Sequence, residues 1–387
     1  MKETVSKTFR EIYGAADDVR SYFAPGRVNL IGEHTDYNGG HVFPCALSYG
    51  TYAAAARRND RKLRFYSVNF PGNGVTESSV GDYRPLRDKS WTSYMKGVMW
   101  ALAGRGFEMD CGLDIVIGGD IPAGAGLSSS AALEVLTGIM LRDIFGFDIS
   151  NQEIALLGQK AENEYCGLNC GIMDQFASAM GRKDHAIFLD TSDLSFQYVP
   201  FVLQDEVLII TNTNKKHSLK DSAYNDRRRE CGEALEALRK VTDAEALCDF
   251  SPEDFEGNKD AIKDPVCLRR ARHAVYENRR TIEGVRALEA GDLEEFGRLM
   301  NASHVSLRDD YEVSCRELDI LAETAWEIPG VLGSRMTGGG FGGCTVSIVK
   351  KEAADEFCRV VGETYREKAG FDCTFYVVSP GGGPEVF

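Results

Sequence analysis

Positive charge is scarce in this sequence: 44 Lys and Arg stand against 59 Asp and Glu among 387 residues, a formal net charge of −15. No block of five or more like charges occurs, so the basic stripe of a nucleic-acid binder is absent. An anionic ligand would be repelled by the molecule as a whole and must be held by a local device: a helix terminus, one arginine or a bound cation. Long apolar runs are missing as well. No stretch approaches the roughly 18 apolar residues of a membrane span, and Met1–Arg20 has no apolar core of a secretory signal. The expectation is a cytoplasmic protein with neither a membrane nor a nucleic-acid partner. Metal-ligand spacing is lacking too: His34, His41, His185, His217, His273 and His304 are scattered, and no HExxH occurs. The eleven cysteines show no framework spacing, and Cys166 and Cys170 have no second pair beside them, so all are read as free thiols. Internal repeats and low-complexity tracts are absent apart from the Ser379-Pro-Gly-Gly-Gly-Pro tail.

What remains is ordinary globular composition, 43% hydrophobic and 27% charged, in a chain long enough for two or three domains of roughly 150 residues. The first half mixes elements. Leu113–Gly118 reads as a buried strand, and Leu133, Leu136, Ile139, Met140 and Ile144 recur at helical spacing within Ser128–Phe145. Ser150 and Glu153 form a capping box that opens a second helix, predicted to run on to Gly167. From about Ser218 long helices dominate, through Arg239, over Cys267–Ala290 and over Asp292–Trp326, before strands at Cys344–Lys350 and Thr374–Ser379. The change in character near residues 190 to 210 suggests a division into 1–200 and 201–387.

Three segments carry chemistry. In Phe23–Gly40, Arg27 and Asn29 share one face of an alternating stretch, and Glu33, His34, Asp36 and Asn38 crowd a loop closed by Gly39-Gly40. Carboxylates accept charge-assisted hydrogen bonds from neighbouring hydroxyls, so such a loop suits a polyhydroxy ligand; a solvated polar turn is the plain alternative. In Gly118–Ala132 a Gly-rich loop leaves a strand and enters a helix through Ser128, Ser129 and Ser130, with four glycines and three serines in thirteen residues. Unpaired N–H groups and the positive end of the helix dipole make that junction an anion site, richer than a Ser-capped helix requires. It is neither a Walker A loop nor a dinucleotide fingerprint. The third segment, Met336–Cys344, has five glycines in six residues and a literal G-x-G-x-x-G, but a strand follows it rather than a helix. Dinucleotide binding is therefore rejected there. Backbone that bends sharply or approaches another surface remains, and so does a structural hairpin.

Two carboxylates stand out beyond these. Glu162 shares a helix face with Ala155, Gly158 and Cys166, a face of small residues that a ligand can approach closely; the ordinary alternative is a half-exposed Glu. Asp174 lies in the first turn of a short helix within Gly171–Gly181, off the stripe formed by Met173, Phe176, Ala177 and Met180, where the dipole favours its ionised form.

In this order the segments resemble the GHMP family of small-molecule kinases, and within it the galactokinase branch. Pro122-x₃-Gly126-Leu-Ser-Ser-Ser-Ala131 is similar to the family's ATP-phosphate motif and Gly338–Cys344 to its third, Gly-rich motif. Gly26–Gly40 is similar to the sugar signature of that branch, and Cys170-Gly-Ile-Met-Asp-Gln175 also matches it. The resemblance implies an α+β fold in two domains, an N-terminal one like part of a ribosomal protein and a C-terminal GHMP domain, with the active site between them. It implies transfer of the ATP γ-phosphoryl group to the C1 hydroxyl of galactose. Position by position, Glu33, His34, Thr35 and Asp36 would hold the sugar with Gly171 and Tyr224, and Gly124, Ala125, Gly126, Leu127, Ser128, Ser129 and Ser130 would wrap the triphosphate. Ser130 and Glu162 would hold Mg²⁺, Trp91 and Tyr94 would stand near the adenine, and Asp174 would be the catalytic carboxylate with Arg27 between it and the γ-phosphate. The implied partners are galactose and ATP alone, on a monomer. Two rivals belong to other branches: a kinase for another sugar such as N-acetylgalactosamine, whose sugar loop would differ, and a sugar- and ATP-binding regulatory sensor, whose phosphate motif would be damaged. Here Ser128–Ala132 is intact.

Overall fold

A computed structural model of the chain describes residues 1–16, 18–84, 90–122, 126–215 and 220–387, with the backbone only for 220–222. The first of its sheets has six strands in the order Glu385–Val386, Arg20–Asn29, Pro44–Arg57, Leu113–Gly119, Lys62–Ser67, Thr76–Ser79. All neighbours are antiparallel except Lys62–Ser67 beside Leu113–Gly119. Its two faces can be read off one strand, because side chains alternate. Ala53 and Ala55 join the core beneath the helices Trp91–Ala103, Ser129–Phe145 and Asn151–Lys160, whereas Ala54 and Ala56 face Val5 and Phe9 of the helix Lys2–Tyr13. Small residues on both faces of this central strand let two helical layers approach it closely.

The second sheet is antiparallel throughout, in the order Val331–Thr337, Cys344–Lys350, Glu206–Asn212, Thr374–Val378. Leu208 and Ile210 face Val28, Leu30 and Ile31 from the first sheet's end, while Ile209 faces the helices Arg316–Trp326 and Ala354–Ala369. That shared core fixes the first strand against the second sheet. A three-stranded sheet, His41–Val42 with His185–Asp190 and Phe196–Pro200, lies beside the loop that follows the first strand. The helices Lys220–Leu238, Pro265–Glu289 and Leu293–Asp309 enclose a further core around Phe255, Ala274 and Tyr311. The chain's last strand returns to the first sheet, so the division at residue 200 is crossed at the C-terminus.

Most of the elements read from the sequence are present, with two differences of substance. The run Asp292–Trp326 is two helices, Leu293–Asp309 and Arg316–Trp326. Between them Glu312 takes φ +54° and Val313 gives its carbonyl to the N–H of Phe341 in the Gly-rich turn, at 2.6 Å. The break therefore supports the third segment. The helix opened by Ser150 has its capping box, but α-geometry ends at Lys160 and a π turn occupies Ala161–Tyr165. The Gly-rich segment is a hairpin joining two antiparallel strands, Thr337 opposite Cys344. No disulfide joins any of the eleven cysteines, and among the described residues no helix is long and apolar enough to cross a membrane.

Candidate active site

The three segments and both carboxylates converge on one cavity of about 430 Å³, lined among others by Arg27, Glu33, His34, Asp36, Gly126–Ser130, Glu162, Gly171, Asp174, Tyr224 and Gly338. The end of the first strand supplies Arg27 and Asn29. Arg27 is buried and lines the cavity, whereas Asn29 turns its Nδ2 to Glu33 Oε2 at 2.7 Å.

Glu33 is held from every side. Besides Asn29, its carboxylate is paired with Arg335 and lies 3.0 Å from the Gly338 N–H and 3.2 Å from Thr337 Oγ1. Burial pushes this carboxyl up; the Arg335 guanidinium and the Gly338 N–H pull it back. Arg335 itself is fully buried and donates to the carbonyls of Asn29 and Leu30, so this one pair ties the first segment to the third. His34 adopts φ +64°, and its Nδ1 meets Tyr37 Oη at 2.7 Å, which in turn meets Tyr311 Oη at 2.8 Å. Its ring centroid lies 4.7 Å from Tyr311 and 5.6 Å from Tyr224. Thr35 is not brought to the cavity: its hydroxyl faces the carbonyls of Gly32 at 2.9 Å and His41 at 2.7 Å, and so closes the loop. Asp36 lies directly over Gly171, where a Cβ would stand 1.7 Å from its Oδ2. Only glycine admits the carboxylate. Burial first and the Asp174 charge second raise the Asp36 carboxyl to about 6, with Arg228 and the Met173 N–H acting against them.

The opposite wall is the start of the helix Ser129–Phe145. Ser128 is its N-cap residue, in the left-handed conformation at φ +59° and ψ +50°, yet its side chain makes no cap bond. The hydroxyl donates instead to Asp174 Oδ2 at 2.5 Å. The leading N–H groups of the helix thus receive no bond from the cap side chain, with the dipole behind them. Ser129 and Ser130 line the cavity, whereas the Leu127 side chain packs in the core and offers only its carbonyl, to the Arg27 N–H at 3.3 Å. Gly124 and Ala125 lie outside the described residues. Trp91 and Tyr94 do not line the cavity; Trp91 stands edge-on to Phe65 at 6.3 Å, with Tyr94 packed in the same core.

Between the walls stands Asp174, 29% exposed, its Oδ1 accepting from Arg27 Nε at 2.8 Å and Nη2 at 2.7 Å. Arg27 Nη1 reaches the Gly126 carbonyl at 2.8 Å, so arginine, carboxylate and phosphate-side loop are one bonded unit. Glu162 is carried inward by the π turn, a feature frequent at functional sites, and is only 8% exposed. Its Oε1 lies 3.3 Å from Ser130 Oγ, and burial, then the Asp174 charge, raise its carboxyl to about 7. A buried carboxylate with only neutral donors fits a cation. Among the described residues no cluster of three or more His, Cys, Asp or Glu could cage a metal, so an ion here would complete its shell with phosphate oxygens and water, the usual habit of Mg²⁺.

The reading of the sequence missed Arg335, Tyr37, Tyr311, Glu134 and Gln175. Two signals were available: Arg335 is a charge inside a strand, and Glu134 a carboxylate inside an apolar helix, both of which need a partner when buried.

Comparison with known proteins agrees along the whole chain. Residues 7–57 match the galactokinase galactose-binding signature, 93–182 the GHMP kinases N terminal domain and 285–367 the GHMP kinases C terminal domain. The chain is 50% identical to a galactokinase of Clostridium perfringens, over 98% of each, and 50% identical to that of Bacillus subtilis, over 99% of this chain and 98% of the relative. It is similar to the crystal structure of Lactococcus lactis galactokinase complexed with galactose, with a TM-score of 0.97 and 46% identity over 99% of both chains.

Proposed function

The chain belongs to the galactokinase family of GHMP kinases, and from that premise we propose that it transfers the γ-phosphoryl group of ATP to the C1 hydroxyl of galactose with Asp174 as the carboxylate beside that hydroxyl. The observation that carries the assignment of Asp174 is its bonding: one oxygen to Arg27, the other to Ser128 at the helix start, inside the single cavity where the three segments meet.

In this reading His34, Asp36 and Tyr224 face the sugar hydroxyls, Gly171 admits Asp36, and Glu33 shapes the floor while fixed by its four protein partners. Gly126–Ser130 and the helix N-terminus take the triphosphate, as the net charge of −15 demands of a local device. The C1 oxygen forms its bond to the γ-phosphorus as the bond to the β–γ bridging oxygen breaks, and the hydroxyl proton passes to the Asp174 carboxylate, leaving galactose 1-phosphate and ADP. Phosphoryl transfer goes through a loose transition state, so positioning and charge carry most of the catalysis. Arg27 therefore matters in two ways: it holds Asp174 and it adds positive charge beside the reacting phosphoryl group. Ser130 and Glu162 would hold Mg²⁺, which supplies charge neutralisation on the phosphates when bound.

ADP release measured across a panel of sugars tests the reading. A pocket that hydrogen-bonds particular hydroxyls discriminates by about 10⁴-fold against an analogue that leaves its polar groups unpaired. Galactose and glucose differ only at the 4-hydroxyl, so kcat/KM should favour galactose strongly. Comparable values for the two would overturn the galactose assignment and leave the kinase one.

A further inference from the structure

Behind Ser130 and Glu162 lies a second row of polar side chains that phosphoryl transfer as described does not use. Glu134, on the helix Ser129–Phe145, and Gln175, next to Asp174, are both fully buried. Gln175 Nε2 donates to Glu134 Oε2 at 2.9 Å and to Glu162 Oε2 at 2.6 Å. The other oxygen of Glu162 is the one that faces Ser130. Glu162 Oε2 also takes the Cys170 thiol, at 3.5 Å, but the amide at 2.6 Å is much the closer donor and so has the larger part in deciding where Oε1 points. Room for the row comes from the preceding helix, where a Cβ on Gly158 would stand 3.1 Å from Gln175 Cγ and 3.3 Å from Glu134 Cβ. The row is a poor device for stability. Glu134 Oε1 and Gln175 Oε1 are buried without any partner among the described residues, and apolar residues of similar volume would pack there without that penalty.

We propose that Gln175, braced by Glu134, is a positioning residue that sets the orientation of the Glu162 carboxylate toward Ser130; the inference rests on the reading of Ser130 and Glu162 as the metal-holding pair. Gln175→Met keeps the bulk and removes the donor. Outer partners of metal ligands are typically worth about 10- to 100-fold in metal affinity, and that is the expected rise in the Mg²⁺ concentration for half-maximal turnover. The same rise is expected in the Mn²⁺ concentration that half-saturates the ADP complex, read by electron paramagnetic resonance without turnover. Glu134→Met should shift both in the same direction. Glu134→Gln retains an oxygen for the Gln175 amide and should restore both to near wild type. Galactose affinity by calorimetry should stay within about twofold throughout, since no sugar-side contact is touched.

Unchanged Mg²⁺ and Mn²⁺ requirements in Gln175→Met, with Glu162→Gln shifting both, would overturn the positioning role alone. Unchanged requirements in Glu162→Gln would overturn the metal-site reading and this inference with it. A parallel loss of galactose affinity, metal affinity and melting temperature in Glu134→Gln as well as Gln175→Met would show a merely structural role and also overturn the proposal.

Discussion

In the loop that forms the proposed sugar side of the cavity, Glu33, His34, Thr35 and Asn38 are bound into the protein, to Arg335, Tyr37, the Gly32 and His41 carbonyls and the His34 carbonyl, whereas on the proposed phosphate side the cap hydroxyl of Ser128 is diverted to Asp174 and gives the helix N–H groups behind it no bond. On the proposed reading the difference follows from the ligands. A neutral hydroxyl brings no charge of its own, so it is recognised only if the acceptors stand still in the right directions, and rigidity has to be built in. A phosphate brings charge and meets donors and a field, which a helix start offers without further bracing. Asp174 is the seam, bonded to the strand through Arg27 and to the helix through Ser128.

The seam gives the largest effect. Asp174→Asn keeps the shape but supplies neither the charge nor a proton acceptor, and loss of such a group typically removes about 10² to 10⁴-fold in rate. Turnover should fall by that much while calorimetry shows galactose still bound, since the sugar-side network does not run through Asp174. A variant keeping more than about a tenth of wild-type turnover would place the chemistry elsewhere.

Rigidity of the sugar side is attacked most directly at Gly171. Alanine there would put its Cβ 1.7 Å from Asp36 Oδ2, so the carboxylate must move. Displacement by about 1 Å at a positioning group can cost 10²-fold, and the loss in kcat/KM for galactose should appear mainly in KM. ADP affinity should not change. Equal losses on both ligands would mean that the two sides are mechanically one.

The phosphate side is attacked at Ser130. Ser130→Ala removes the hydroxyl 3.3 Å from Glu162 and should raise the half-saturating Mg²⁺ concentration by about tenfold, with galactose affinity unaffected. An unmoved Mg²⁺ titration would separate this pair from the metal.

How much of this the sequence discloses differs between the sides in the same way. The phosphate side is local: strand, glycines, serines and helix follow one another, and the helix Ser129–Phe145 falls within the Ser128–Phe145 that the apolar spacing predicts. The sugar side is assembled from far apart. Glu33 needs Arg335, about three hundred positions on, and Asp36 needs the missing side chain of Gly171; no periodicity announces either, and Gly171 entered only through the family resemblance. Thr35 sits in the same motif as the cavity residues but serves the loop's own closure, a distinction that a motif cannot make. The π turn at Ala161–Tyr165 was also hidden, because its residues fit an α-helix equally well until tertiary packing chooses.

The smallest effect concerns the stability the sugar side gives up before its ligand arrives. The Asp36 carboxyl is raised from 3.8 to about 6, so the ionised form is disfavoured by folding. As pH rises past 3.8 the unfolded chain releases this proton while the folded one keeps it to about 6; the penalty grows across that window and is constant above it. Asp36→Asn abolishes the charge and should therefore melt higher than wild type at pH 7.5 without sugar, by about 1–3 °C for a chain of this size. The gain should be roughly halved near pH 5 and lost toward pH 4. Saturating galactose should reverse the order, because a ligand stabilises the fold more the tighter it binds and the amide is the weaker acceptor for a hydroxyl. Differential scanning calorimetry at three pH values, with and without galactose, reads both. If the variant melted lower at pH 7.5 without sugar, Asp36 would belong to the braced framework with Glu33, and the sugar side would hold no strained acceptor at all.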